Sequence, residues 1–243
     1  MSDHTEEEAT HDDAATLPTK WPKSFLRRQG HTTRGQKRAL RELWPDFGLD
    51  CSYGTTVDLP SSFGRTGPTT LEVGFGMGEN IVANALADPA RDFVGVEVHK
   101  PGIGAVLSAI QEHELENVRL VRHDIIKFLR DHVTTQAFDQ VIVFFPEPWP
   151  EDKDIKRRLI RPLLLDLLVM RMRPGGSLHV ATDVEGYARH ALQVLGQDPR
   201  WTNQAAVDFV DRPEWRPLTK YEKKGMAEGR SIFDLEFRLD DVP

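Results

Sequence analysis

Acidic side chains stand at the ends of five apolar runs, where they could hold a positively charged ligand. Glu72 and Glu97 lie near the ends of two of these runs, and Asp124, Glu147 and Asp183 follow three more. Because the carboxyl ends of parallel strands meet at one edge of a sheet, we expect these five carboxylates to converge. A pyrophosphate would be repelled there, since like charges in a partly desolvated cleft are unfavourable. The pattern therefore favours a ligand that carries positive charge and no phosphate.

A turn with glycine at every second position, Gly74, Gly76 and Gly78, follows Glu72. Glycine allows positive φ and has no Cβ, so such a turn can bring backbone against a nucleotide-like molecule, although a simple tight turn between strand and helix is the alternative. Glu97, about twenty residues further on, is placed to accept hydrogen bonds from ribose hydroxyls. S-adenosylmethionine has a ribose, a sulfonium and an ammonium but no phosphate, and it fits this pattern better than NAD.

Strands and helices alternate through the middle of the chain, which predicts right-handed βαβ units and a doubly wound parallel sheet of the α/β class. Strict alternation from Phe233 to Leu239 predicts a last strand with one buried face. The other predicted strands are the run around Leu71 and residues 92–98, 118–122, 139–145 and 177–181. The predicted helices are residues 34–44, 79–86, 101–114, 125–132, 157–173 and 184–197, with Pro174-Gly175-Gly176 ending the fifth.

From Ser24 to Leu239 the chain resembles the bacterial tRNA (guanine-N7)-methyltransferases (TrmB), which are class I S-adenosylmethionine-dependent enzymes. The matching stretches are Ser24-Phe25-Leu26-Arg27-Arg28-Gln29-Gly30, Leu71 to Gly78, Gly95-Val96-Glu97-Val98-His99, Phe144-Phe145-Pro146-x-Pro148-Trp149, Lys156-Arg157-Arg158, Ala181-Thr182-Asp183 and Arg216-Pro217-x-Thr219-Lys220-Tyr221-Glu222. The resemblance implies a mostly parallel seven-stranded sheet with a final antiparallel strand. It also implies methylation of N7 of the variable-loop guanine of tRNA.

The turn that contains Glu147 is the candidate for chemistry, because it leaves the sheet facing the glycine turn. Guanine N7 carries a lone pair and no proton, so its methylation needs alignment rather than a general base. A carboxylate that accepts hydrogen bonds from guanine N1–H and N2–H would fix the base and stabilise the growing positive charge. We therefore assign the catalytic role to Glu147.

The other site residues follow partly from their positions and partly from the resemblance. The predicted cofactor residues are Glu72, Gly74, Gly76, Gly78, Glu97, Asp124 and Glu147. The predicted substrate residues are Glu151, Asp183, Thr219, Lys220, Tyr221 and Glu222. For Asp183, with Thr182, capping of the following helix is a competing interpretation, and for the segment from Thr219 a charged surface turn is another.

The chain departs from the family at two of these positions. Glu147 stands where the family has an aspartate, and Glu151 stands where it has a lysine. A shift of about 1 Å in a positioning group can cost on the order of a hundredfold in rate. An alternative function is therefore a binding module or partner subunit that keeps the fold and has lost catalysis.

Charge is distributed very unevenly. The formal net charge is −7, and the first sixteen residues hold six Asp or Glu and no Lys or Arg. We predict a disordered acidic tail over residues 1–19, a basic extension over residues 20–67 and a methyltransferase domain over residues 68–243. From Lys20 to Arg41 there are eight Lys or Arg and no acid. Such a segment favours contact with RNA phosphates over a solvated helix face and disfavours a small-molecule methyltransferase.

The residues predicted to contact the RNA backbone are Arg27, Arg28, Arg34, Lys37, Lys156, Arg157 and Arg158. For the last three, the polar face of an amphipathic helix is an equally good interpretation. The chain has one cysteine, Cys51, and its histidines are not spaced as in a zinc site, so we expect neither a disulfide nor a bound metal. No apolar run is long enough to span a membrane and no signal peptide is evident. We expect a cytoplasmic protein, monomeric or homodimeric, with tRNA as its partner.

Overall fold

The structure is a computed structural model that describes Phe25 and residues 30–241, with Lys220 and Tyr221 described by their backbone only. The predicted acidic tail lies outside the described residues, as do Arg27, Arg28 and most of the motif that begins at Ser24. The division into tail, extension and domain therefore stays a prediction. Among the described residues, no helix combines the length and apolar character needed to cross a membrane.

In the described part of the chain, seven strands form one sheet with the order β3-β2-β1-β4-β5-β7-β6. Their bounds are β1 Thr69–Val73, β2 Asp92–Val96, β3 Val118–Val121, β4 Phe138–Phe144, β5 Met172–Thr182, β6 Trp201–Asn203 and β7 Phe233–Leu239. The first five strands pair in parallel, and β7 runs antiparallel to both β5 and β6. The predicted fold class is confirmed, and the order reverses between β1 and β4, where α/β sheets bind their ligands.

Helices cover the two faces of the sheet. Their bounds are α1 Arg34–Glu42, α2 Trp44–Phe47, α3 Leu59–Phe63, α4 Glu79–Ala87, α5 Lys100–His113, α6 Ile125–Asp131, α7 Pro162–Arg171, α8 Glu185–Gly196 and α9 Lys220–Ala227, with a 3₁₀ helix at Asp152–Arg157. One apolar cluster joins α6, α7 and α8 to alternate residues of β1, β4, β5 and β7. The second joins α1, α4 and α5 to β2 and β3. The opposite face of β4, β5 and β7 is thus left to the segment around α9.

The basic helix α1 begins where its sequence predicts. Thr33 Oγ1 accepts from the backbone N–H of Gln36 at 3.2 Å, and Gln36 Oε1 accepts from the N–H of Thr33 at 2.9 Å, which forms a capping box. The helix packs closely on α5, because a Cβ added to Gly104 would lie 2.7 Å from Gln36 Cβ. Arg34 and Lys37 remain exposed on the outer side of this pair of helices.

Two sequence predictions are wrong around the fifth strand. The predicted helix over residues 157–173 is interrupted: the 3₁₀ helix ends at Arg157, and α7 starts only at Pro162, whose fixed φ suits the first helical position. Four predicted core leucines of this helix, 163, 164, 167 and 168, are buried as expected. Pro174-Gly175-Gly176 does not end a helix, because β5 already begins at Met172. The resemblance implies seven strands, but the position of the three-residue strand β6 was not predicted, since a run this short has no readable period.

Candidate active site

The glycine turn after β1 has the backbone conformation that its sequence predicts. Gly74, Gly76 and Gly78 have φ of 71°, 58° and 87°, which side chains rarely tolerate. The turn also packs directly on α5: Gly102, in the first turn of that helix, lies so close to the carbonyl oxygen of Gly76 that a Cβ on Gly102 would overlap it. On the other side, a Cβ at Gly74 or Gly76 would meet no atom within 4 Å. The turn therefore rests on α5 and presents open backbone.

Glu97 connects the glycine turn to the end of β2. Its Oε2 accepts from the backbone N–H of Gly76 at 3.0 Å, and its Oε1 accepts from those of Val98 and His99 at 2.6 and 2.9 Å. These bonds fix the carboxylate in one orientation. Oε1 already accepts two hydrogen bonds, but Oε2 accepts only one here and can take a second, so Glu97 can still bind a ligand hydroxyl.

Glu72 is deeply buried beneath the same turn, with 4% of its surface exposed. Asn80 Nδ2 donates to Glu72 Oε2 at 2.7 Å, and Asn84 Nδ2 donates to Asn80 Oδ1 at 3.0 Å. Burial raises the pKa of Glu72 to about 7, although the Asn80 hydrogen bond works in the opposite direction. Glu72 is therefore partly protonated near neutral pH until a cation comes to lie beside it.

Asp124 follows β3 and caps α6, where its Oδ1 accepts from the backbone N–H of Lys127 at 3.2 Å. It is half-buried. Three adjacent strands, β3, β2 and β1, thus bring Asp124, Glu97 and Glu72 to one edge of the sheet. This is the arrangement of carboxylates that the sequence predicts.

The turn that carries Glu147 is bracketed by two aromatic residues in the left-handed region. Phe145 has φ of 48° and Trp149 has φ of 42°. Such conformations cost about 1–3 kcal/mol each for residues other than glycine, so the surroundings must hold them in place. The backbone N–H of Phe145 donates to the carbonyl of Ala181 on β5 at 2.7 Å. The position of Glu147 is therefore set by the backbone on both sides of it.

Two arginines hold the far end of this turn. Arg158 is buried, and its guanidinium donates to the carbonyls of Pro148 at 3.0 Å, Gly186 at 3.3 Å and Trp149 at 3.4 Å. The Arg157 guanidinium stacks on the Trp149 ring, 3.5 Å from its centroid, and pairs with Asp154 at 3.5 Å. The expected phosphate contact by Arg158 must be corrected, because its donors are committed to the protein interior.

The residues between this turn and the 3₁₀ helix are at the surface. Glu151, at the position of the family's lysine, is exposed and pairs with Lys153 at 2.6 Å. Lys156 is also exposed. The negative charge of Glu151 disfavours a direct contact with an anionic substrate. Lys156 is exposed and Arg157 is partly exposed, so both are accessible to an RNA strand.

Asp183 follows β5 and does not cap α8. The N-cap of α8 is Val184, which makes no side-chain hydrogen bond, and Thr182 Oγ1 accepts from the Val184 N–H at 3.2 Å. The helix-cap interpretation is therefore wrong for Asp183. Its Oδ2 lies instead 3.2 Å from Nη1 of Arg230, just beyond α9. This ion pair connects the end of β5 to the segment with the other predicted substrate residues.

Thr219 begins that segment and caps α9, since its Oγ1 accepts from the backbone N–H of Glu222 at 3.3 Å. The backbones of Lys220 and Tyr221 form the first turn of the helix. Glu222 is 1% exposed, and its two carboxylate oxygens accept from Arg216 at 2.6 and 2.9 Å. The structure thus gives Glu222 an internal partner, and the predicted contact with guanine would require this carboxylate to leave Arg216.

Arg216 is the centre of a buried polar chain that sequence reasoning did not identify. Its Nη2 also donates to Asp234 Oδ2 at 2.9 Å, and Asp234 Oδ1 lies 2.8 Å from Nε2 of His179. These three residues and Glu222 are each at least 98% buried. The strict alternation of β7 predicts a solvent-facing Asp234, but the α9 segment covers that face of the sheet. We call these four residues, His179, Asp234, Arg216 and Glu222, the buried ion chain.

The structure thus brings the predicted residues together at one edge, with different degrees of access. Glu72 and Glu97 lie at the glycine turn, Asp124 follows β3, and Glu147 follows β4, the other neighbour of β1. Asp183 follows β5 and is connected through Arg230 to the α9 segment that Thr219 caps. Arg34 and Lys37 lie outside this group, on α1.

Known proteins resemble the chain over most of its length. A family model described as a putative methyltransferase matches residues 66–235. A tRNA (guanine-N(7)-)-methyltransferase of Idiomarina loihiensis is 43% identical, over 90% of this chain and 89% of the relative. A protein of the same name from Stutzerimonas stutzeri is 41% identical over 98% of this chain and 100% of the relative. One from Nitrosomonas eutropha is 46% identical over 88% of this chain and 95% of the relative.

Solved structures resemble the fold. The crystal structure of the 16S rRNA methyltransferase KamB gives a TM-score of 0.55 at 14% identity, over 80% of this chain and 99% of that one. The structure of an antibiotic-related methyltransferase gives 0.51 at 18% identity, over 76% and 97%. At this identity the similarity concerns the fold alone.

Proposed function

We infer that this chain, which belongs to the family of the tRNA (guanine-N(7)-)-methyltransferases, transfers a methyl group to N7 of a guanine in tRNA. The observation that carries this inference is the extent of the similarity, 41% identity over 98% of this chain in one relative. It spans the glycine turn, the Glu147 turn and the α9 segment together. The reported relatives are all named as methyltransferases, so they give no support to the alternative of a binding module.

We propose S-adenosylmethionine as the methyl donor. The acidic side chains at this edge support the proposal. Glu72 suits an ammonium, Glu97 suits ribose hydroxyls and Asp124 suits an amino group. A ligand with a phosphate would be repelled by these carboxylates. The open side of the glycine turn offers room for such a ligand against the backbone of Gly74 and Gly76. When bound, the donor supplies a methyl group made electrophilic by its sulfonium.

The protein's own task is to hold guanine with N7 directed at that methyl group. Guanine N7 has no proton to lose, so no side chain has to act as a base. Glu147 accepts hydrogen bonds from the N1–H and N2–H edge and stabilises the positive charge that develops on the ring. Asp183, which follows β5, and Thr219, which caps α9, are proposed to complete the contacts with the nucleotide.

Activity can be tested by transfer of labelled methyl groups from S-adenosylmethionine to an unmodified tRNA transcript, followed by mapping of the modified base. We expect N7-methylguanosine in the variable loop, which would also support a cytoplasmic place of action. A transcript with adenine in place of the variable-loop guanine is the matched control. Methylation of another base, or no transfer by the wild type, would contradict the proposed function.

The pH dependence of donor binding tests the role of Glu72. Since only the ionised carboxylate attracts an ammonium, affinity for S-adenosylmethionine should fall by up to about tenfold per pH unit below about 7. The pKa of Glu72 in the folded protein lies above its ordinary value of 4.5, so protonation of Glu72 stabilises the ligand-free fold. This stabilisation is fully present below pH 4.5 and is lost as the pH rises through about 7.

Calorimetric titration between pH 6 and 8 would measure this dependence, with Glu72→Gln as the control that keeps an acceptor for Asn80 but does not ionise. We expect the variant to bind weakly and without the pH dependence. An equal slope in wild type and variant would assign the titration to another group.

The exposed cations of α1 are proposed to contact RNA phosphates. Replacing Arg34 and Lys37 by glutamine should weaken tRNA binding and lower the slope of log K against log salt concentration by about one for each phosphate that is no longer neutralised. Filter binding across a salt series would measure it. Arg189→Gln is a suitable control, since Arg189 is exposed on α8, on the other face of the sheet. A weakened affinity with an unchanged slope would rule out phosphate contact.

A further inference from the structure

Trp215 is a large aromatic residue that the fold holds at the surface of the candidate site. It lies between β6 and α9 with 38% of its surface exposed. Its ring stacks on Phe144, with centroids 6.2 Å apart and an interplanar angle of 23°. It also meets His179 edge to face, with centroids 5.3 Å apart and an angle of 80°. The indole therefore has a defined orientation although much of it faces solvent.

The backbone that carries Trp215 is fixed as firmly as its ring. Arg216, the next residue, has no exposed surface and donates to Glu222 and Asp234. Its carbonyl accepts from Arg212 Nη1 at 2.5 Å. Backbone next to so many buried hydrogen bonds cannot shift far without breaking them, and the ring is oriented by Phe144 and His179. Trp215 is thus a preorganised surface rather than a mobile loop residue.

The neighbours of Trp215 place it among the residues proposed to hold guanine. Phe144 ends β4, three residues before Glu147, and His179 lies on β5, which leads to Asp183. Thr219 follows Trp215 by four residues on the same segment. The carboxylates of Glu147 and Asp183 can bind only the edge of a base, which leaves its plane free to tilt. A stacked aromatic ring would fix that plane.

We propose that Trp215 stacks against the target guanine and holds its plane while Glu147 binds its edge. Stacking of a base on an aromatic side chain is favourable for any base, because every base has a π-face, and it becomes stronger as the base gains positive charge. Methylation of N7 makes guanine cationic. The contact thus aligns the substrate and stabilises the charge formed in the reaction. This inference rests on the proposed function.

The experiment compares Trp215→Leu, which keeps apolar bulk without a ring, with Trp215→Phe, which keeps a ring. We expect kcat/KM for tRNA to fall at least about tenfold in the leucine variant and distinctly less in the phenylalanine variant, since stacking contributes in this range. Tyr53→Leu removes a fully exposed aromatic side chain from the turn before α3 and is the control. Equal activity of the leucine and phenylalanine variants would overturn the proposal.

Two further measurements separate stacking from packing. S-adenosylmethionine affinity and Tm should be similar in the leucine and phenylalanine variants. In addition, 2-aminopurine at the target position of the RNA should be quenched on binding to wild type and Trp215→Phe but not to Trp215→Leu. If the leucine variant does not fold, Trp215→Met takes its place, and equal quenching with and without a ring would overturn the proposal. Absence of transfer by the wild type would contradict the proposed function instead.

Discussion

Replacing Glu147 by alanine should reduce the rate of methyl transfer to tRNA by at least about a hundredfold, while the affinity for S-adenosylmethionine changes by less than about threefold. Two features of the turn separate these effects. The flanking residues Phe145 and Trp149 keep their conformation through the Ala181 and Arg158 hydrogen bonds, which the substitution leaves intact. The donor, in turn, is proposed to be held mainly by Glu72, Glu97 and Asp124. The loss should therefore appear in kcat.

Single-turnover transfer and donor titration would be measured on the same preparations, with Glu147→Gln and Glu147→Asp as companions. The glutamine variant keeps the length of the side chain and removes its charge, so it should be nearly as slow as alanine. The aspartate variant restores the family residue and should retain activity within about tenfold of wild type. A large loss of donor affinity in Glu147→Ala would contradict the assignment of Glu147 to the base.

Replacing Arg216 by alanine should lower the free energy of unfolding by about 3–5 kcal/mol, because the carboxylates of Glu222 and Asp234 would remain buried without their cation. For a chain of 243 residues this corresponds to a Tm lower by about 6–20 °C. Urea unfolding followed by circular dichroism would measure the change.

A double variant tests whether the cost comes from the uncompensated charge. Arg216→Met combined with Glu222→Leu removes one ion pair as a unit, and we expect it to unfold at higher urea than Arg216→Ala alone, since an apolar pair can replace a buried salt bridge. Arg216→Lys keeps the charge but not the two-pronged geometry and should be intermediate. A loss below about 1 kcal/mol in Arg216→Ala would show that water or a rearranged loop compensates the carboxylates.

The sequence predicted the parts of this protein that depend on local pattern. The glycine turn, the start of α1 at residue 34 and the carboxylates at the ends of β1, β2 and β3 follow from spacing and from the parallel sheet. The buried ion chain could not be predicted in this way, because His179 and Asp234 are distant in sequence and Asp234 sits on the polar side of an alternating strand. Only the tertiary placement of the α9 segment makes that side an interior.

The role of Arg158 could not be predicted for a similar reason. Lys156-Arg157-Arg158 is a basic run, and from the sequence alone all three residues are equally good candidates for contact with RNA. In the structure, the helix breaks after Arg157, so that Arg158 turns inward and its donors reach carbonyls of the Glu147 turn. A sequence pattern shows how many charged residues there are, but not which of them form hydrogen bonds within the protein.

Helix α5 has two glycines two positions apart, and each allows a contact at backbone distance. Gly102 lies against the carbonyl of Gly76 in the glycine turn, and Gly104 lies against Gln36 in the basic helix. In mechanical terms, α5 is a spacer of fixed thickness, because neither of its glycines has a side chain that could change conformation at the contact. The distance between the glycine turn and the basic helix is therefore set mainly by backbone dimensions, and it can be preserved while most of the surrounding side chains change.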